Sequence, residues 1–180
     1  MQAHIFAESS NTTAKDSDLP VKEYYEGLFG EVSGLDTEIG EFAETHLHVL
    51  SQEYGLLNGN EHFSDIHGSR KLPVGKEEMV STAQVEMLRA AATADVMVIL
   101  LSTDVFRATV IPLWDELTEK AKSESIWCLG AARSALDEID VSGLETKGCS
   151  VLTYRRVGVA QIGTETRTEL LETVKQNTDQ

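Results

Sequence analysis

The chain has 180 residues, 41% of them apolar, and carries 30 Asp and Glu against 15 Lys and Arg, a formal net charge of −15. This length and apolar share predict one globular domain with its own core and exclude wholesale disorder. No apolar run approaches the roughly 18–20 residues that span a bilayer, and the acid excess disfavours nucleic acid as a partner because such a surface repels phosphate at ordinary salt.

In chain order, Ala3 to Ala7 is a short apolar run and predicts the first strand. Ser9 to Leu19 is rich in Ser, Thr and Asp without periodicity and predicts a loop. Pro20 opens a helix where its missing N–H costs nothing, with Tyr24, Leu28 and Phe29 as the apolar face and Gly30 and Gly34 weakening or ending it. Asp36 is expected to cap a second short helix with Ile39, Phe42 and Ala43 inside. Leu47, Val49 and Leu50 predict the second strand. Gln52 to Gly75 is polar and glycine-bearing, and a loop of that length in a compact domain is usually functional or mobile.

The clearest helix is Lys76 to Thr93, where Met79, Ala83, Met87 and Ala91 recur near period 3.6. Asp95 to Leu101 is the strongest strand, apolar on both faces as a central parallel strand requires. Ser102-Thr103-Asp104 then leads into a helix over Val110 to Lys122. A fourth strand over Ser125 to Leu129 and a short helix over Ala131 to Ile139 follow. Two further strands are predicted, Gly148 to Tyr154 and Val157 to Ile162, then a closing helix, Thr164 to Lys175, and a polar tail, Gln176 to Gln180. Strands alternating with helices predict a single three-layer α/β domain over residues 1–180 with a mostly parallel central sheet.

Parallel strands end on one side of the sheet, so Glu8-Ser9-Ser10, Ser51, Ser102-Thr103-Asp104 and Gly130 should converge there. Ser9, Ser10, Ser51, Ser102 and Thr103 are therefore candidate ligand-binding residues, although Ser and Thr at such positions also cap the following helices. Tyr54-Gly55 forms a corner after the second strand, where Gly55 is expected to take a positive φ. Tyr54 would then stack on a planar ligand, or else plug the core under the long loop. Asp65 and Asp104 are the candidate catalytic carboxylates, as general bases. No glycine-rich dinucleotide fingerprint, P-loop or nucleophile elbow occurs, so no cofactor is expected. His62 and His67 lack a recognised ligand spacing, and no metal is expected. Cys128 and Cys149 sit in apolar runs and read as reduced core thiols. Arg70-Lys71 and Arg155-Arg156 could contact phosphate or pair with surface carboxylates.

Three segments carry a resemblance. Val21-Lys22-Glu23-Tyr24-Tyr25-Glu26-Gly27-Leu28-Phe29, the turn Ser51-Gln52-Glu53-Tyr54-Gly55-Leu56-Leu57 after its strand, and Val110-Ile111-Pro112-Leu113 resemble the superfamily of the peroxide-stress protein YaaA and its small uncharacterised archaeal and phage relatives. The likeness covers roughly residues 1–118, and the Ser-x-x-Tyr-Gly-Leu-Leu turn is its most specific part. The family's Pro and Tyr before an acidic residue are absent ahead of Asp65. The resemblance implies an α/β fold with a strand-end pocket and an association with nucleotides or nucleic acid, more than a particular reaction.

The expected function is binding of a nucleotide, nucleobase or nucleic-acid-derived ligand at the strand ends. The alternatives are a small hydrolase or glycosidase-like enzyme on a nucleoside, with Asp65 or Asp104 as base, and a non-catalytic assembly protein. The acid excess, spread along the whole chain, predicts a halophilic surface. The N-terminus lacks a basic segment followed by a long apolar one, so the expected compartment is cytoplasmic, with no membrane partner.

Overall fold

Six strands, β1 (Gln2–Glu8), β2 (Glu44–Ser51), β3 (Gly55–Asn58), β4 (Val96–Leu100), β5 (Ile126–Ala131) and β6 (Ser150–Arg155), make one sheet in the order β3-β2-β1-β4-β5-β6. This is a computed structural model, and it describes residues 1–66, 71–155 and 162–178. All pairs are parallel except β2 with β3, which meet as a hairpin with Ser51 opposite Gly55. The helices are α1 (Val21–Tyr24), α2 (Phe29–Ile39), α3 (Lys76–Thr93), α4 (Thr103–Lys120), α5 (Arg133–Leu136), α6 (Ser142–Thr146) and α7 (Thr164–Thr178).

The sheet separates two apolar layers because strand side chains alternate between faces. Ile5, Ala7, Val98 and Cys128 point to the side covered by α1, α2 and α7. Phe6, Met97, Ile99 and Trp127 point to the side covered by α3, α4, α5 and α6. Every residue of β4 is fully buried, as the unbroken apolar run predicts for a central strand. The expected three-layer, mostly parallel α/β architecture is therefore the observed one. Among the described residues, no helix is long and apolar enough to cross a membrane.

Several boundaries differ from the sequence reading. Gly30 and Gly34 do not end a helix; they lie inside α2, where burial of Phe29, Val32, Leu35 and Ile39 outweighs a cost of about 1 kcal/mol per glycine. Asp36 is not a cap but a buried residue of α2, with Lys22 Nζ 3.7 Å from its carboxylate, and Phe42 and Ala43 follow the helix. The stretch 52–75 is not all loop, since it contains β3 and a 3-10 turn, Phe63–Asp65. Helix α4 starts at Thr103 rather than near Val110, and Pro112 lies within it. Helix α6 was not expected, and α7 continues to Thr178. The strand expected over Val157 to Ile162 lies outside the described residues except for Ile162, which is buried beyond β6.

The scarce cations link elements far apart in sequence. Arg167 on α7 reaches Glu38 at 2.6 Å and donates to the Glu31 carbonyl at 3.0 Å. Lys122 pairs with Asp95 at 2.5 Å, and Arg107 with Glu138 at 2.7 Å. Both cysteines are buried and free, with burial, then Glu169, pushing the Cys128 thiol up to about 12.

Candidate functional site

The chain runs outward from β1 to β2 and returns across β1 to β4, so the winding reverses between β1 and β4. Open α/β sheets bind ligands outside the carboxyl ends of their strands at such a reversal. A cleft of about 660 Å³ opens there. One wall is the end of β1 and the following segment, from Glu8 to Asn11. The other is the β2–β3 turn, with Ser51, Gln52, Glu53 and Tyr54. Tyr24 and Tyr25 close one side, and Met79 and Val105 underlie it. A second depression of about 340 Å³ shares Glu8, Ser9, Ser10 and Asn11 and extends to Ser102 and Phe29.

Local sequence explains each wall. The segment after β1 is a loop, as its composition predicts, and it folds back along the end of α1. Ala14 N–H donates to the Tyr24 carbonyl at 2.8 Å, and Glu26 N–H to the Thr12 carbonyl at 2.8 Å. That return brings the tyrosine pair to the strand ends. Gly55 has φ +86°, the left-handed conformation expected at this corner, and it lets the chain reverse into β3 after only three residues. Ser51 Oγ accepts the Tyr54 N–H at 3.1 Å and fixes the turn from inside.

The aromatic side is built on Phe63. Tyr24 stacks on it at 3.7 Å between centroids, and Tyr54 meets it edge-on at 4.9 Å. Tyr54 is half-buried, packing against the core while also lining the cleft. Burial, followed by the adjacent Glu53 carboxylate, pushes its phenol upward. Tyr25 is deeper; burial pushes it up to about 12 despite hydrogen bonds to the Ser51 and Ser9 side chains.

The electrostatic centre is Glu8. Its Oε1 accepts the Ser102 N–H at 2.5 Å, at the N-terminus of α4. Ser102, the N-cap residue, makes no side-chain cap, and the Glu8 carboxylate on β1 takes the Ser102 N–H and sets a negative group at the amino end of the helix. Glu8 and Glu53 are the only charged residues among the described residues lining the two depressions.

Of the residues singled out in the sequence, Ser9, Ser10, Ser51 and Tyr54 come together in the cleft, and Ser102 lines its extension. Gly55 shapes the turn without lining it. Thr103 and Asp104 lie in the first turn of α4, with Asp104 exposed, and neither lines either depression. Asp65 is exposed on the 3-10 turn and is likewise not part of the wall. Lys71 and Arg155 are exposed and line neither depression, while His67, Arg70 and Arg156 lie outside the described residues. Sequence reasoning placed Glu8 at the right edge without a role and counted Tyr24 as helix face. Adjacent tyrosines cannot share one helix face, and that was the available signal.

A second polar group lies on the α3 and α4 side of the sheet, towards the amino ends of β1 and β2. His4 stacks on His46 and on His48 at 4.7 and 5.2 Å, and His4 Nδ1 lies 2.9 Å from His48 Nε2. His48 also stacks on Phe6 at 4.3 Å. Burial and then the neighbouring histidines hold His48 down at about 3; burial and then His46 hold His4 at about 4. Among the described residues, no group of three or more His, Cys, Asp or Glu is arranged to hold a metal ion. Comparison with family models, curated proteins and solved structures finds no match to this chain.

Proposed function

We propose that this chain is a YaaA-like α/β protein whose strand-end cleft binds a small ligand of the nucleobase, nucleoside or nucleotide class. The observation that carries the reading is the composition of the cleft lining: a tyrosine pair and Tyr54 together with Ser9, Ser10, Ser51 and two carboxylates. Aromatic faces favour a flat heterocycle, while hydroxyls and carboxylates favour its hydrogen-bonding edge and attached sugar. The turn that resembles the YaaA superfamily most specifically, Ser51 to Leu57, is also the turn that walls the cleft.

Glycosidic hydrolysis of a nucleoside is a second reading, favoured by the same two carboxylates lining the cleft. Glu8 would then replace Asp65 and Asp104 as the group placed to handle a proton.

A thermal-shift panel of bases, nucleosides and nucleotides in about 1 M KCl tests the first reading, because a ligand raises Tm by mass action. Tyr54→Phe should fold and bind. Tyr54→Ala should lose about 1–2 kcal/mol, less than the roughly 3–5 kcal/mol of a fully buried aromatic, and should lose the ligand response. A panel without any Tm rise for the wild-type protein defeats the proposal. Release of free base from a nucleoside, followed by chromatography, decides the second reading.

A further inference from the structure

We infer that the cleft selects an unphosphorylated ligand, a nucleobase or nucleoside, and that Glu8 is the residue that selects it. The inference rests on the base-binding reading above and narrows it. A phosphate bound at the carboxyl edge of an α/β sheet normally takes loop and helix N-terminal N–H groups. Here several of those donors are engaged within the protein. Ser9 N–H donates to the Leu50 carbonyl at 2.9 Å, and Thr12 N–H to Ser10 Oγ at 3.1 Å. Tyr54 N–H donates to Ser51 Oγ, and Ser102 N–H to Glu8.

The last contact matters most. The amino end of α4, the helix that follows β4 at the winding reversal, already has an anion beside it, and the anion belongs to the protein. A ligand phosphate entering there would meet the Glu8 carboxylate, with Glu53 on the opposite wall and Asp104 in the first turn of α4. No Lys or Arg among the described residues lines either depression to offset that repulsion. The same charge distribution suits a donor-rich ligand. A carboxylate has about four lone-pair sites, and Ser102 occupies one of those on Glu8. The others accept from ribose hydroxyls or from the N–H groups of a base held against Tyr24 and Tyr54.

Calorimetric titration of the full chain with adenosine, guanosine, cytidine and uridine, and with the 5′-monophosphate of each, tests the inference in about 0.2 M and about 1 M KCl. At least one nucleoside should bind, with its monophosphate weaker by about tenfold or more in the lower salt, as like-charge juxtaposition requires. The gap should narrow in the higher salt. Glu8→Gln keeps an oxygen for the Ser102 N–H; it should weaken the nucleoside by about tenfold and bring the two ligands within about threefold. A monophosphate that binds wild-type protein as tightly as its nucleoside overturns the selectivity while leaving base binding intact. Unchanged nucleoside affinity in Glu8→Gln overturns the role of Glu8. Absence of binding by every nucleoside and nucleotide removes the base-binding reading itself. If Glu8→Gln does not fold, the wild-type ratio and its salt dependence decide the matter alone.

Discussion

Acidification should destabilise this protein through His48 in a way that one substitution can isolate. His48 is held at about 3 in the folded chain against an ordinary value of 6.5, so between those values the unfolded chain takes up a proton that the folded chain refuses. The sign follows directly: the folded state keeps its full stability above pH 6.5, loses it as pH falls, and stops losing it on this account near pH 3. At pH 5 the gap is about 1.5 pH units below 6.5, which at about 1.36 kcal/mol per unit gives about 2 kcal/mol. His4 acts in the same direction, but it is more exposed and solvent screening reduces its share. Urea unfolding at about pH 7.5 and about pH 5, in about 1 M KCl to mute the carboxylate background, measures the loss. His48→Gln retains a hydrogen-bonding group beside His4 Nδ1 and cannot take up the proton. Wild-type protein should therefore lose about 2 kcal/mol more than His48→Gln over this interval. Equal losses would refute the reasoning, as would an imidazole resonance of His48 that titrates near its ordinary value.

Three further outcomes are expected. Gly55→Ala should cost about 1–2 kcal/mol in chemical unfolding, because φ +86° forces a Cβ into a conformation that L-residues avoid; an unchanged midpoint would show that the turn relaxes. With 30 carboxylates against 15 Lys and Arg, Tm should rise as KCl goes from about 0.1 M towards molar levels, where screening shortens to about 3 Å, and a flat or falling Tm would contradict a halophilic surface. Cys128 and Cys149 should resist a thiol reagent in the folded protein and both react on unfolding, whereas fast modification of either would mean that it is reached by solvent.

What could be read in advance follows the range of the forces involved. Strand β4 and helix α3 were legible because their signals are local: five consecutive buried apolar residues in one, a sustained 3.6-residue period in the other. Gly55 was legible for the same reason, since a corner after a strand constrains φ by itself. Helix α2 was not, because two glycines in it are overruled by packing on the sheet, and Asp36 finds its partner Lys22 on another element. Strand β3 has only four residues and begins with a glycine, so nothing in its composition separates it from a loop. The cleft divides in the same way. Ser9, Ser10, Ser51 and Tyr54 follow from strand ends alone. Tyr24 and Tyr25 reach the wall only because the segment after β1 returns and bonds to the end of α1, and the partner of Glu8 lies 94 residues away.

The few basic side chains give the sequence an uneven tolerance to change. An exposed Asp or Glu outside the ion pairs can be exchanged for another polar residue without disturbing a contact that holds two elements together. Arg167 has no such freedom, since it joins α7 to two points on α2, and neither do Lys122 and Arg107 in their pairs. Each pair is modest as a surface interaction, but removal of its cation also adds to a field that is already repulsive. Drift at acidic positions should therefore be broad and close to neutral. Variation at the paired basic positions should be narrow, confined to exchanges that keep the charge and, for Arg167, the forked reach of a guanidinium.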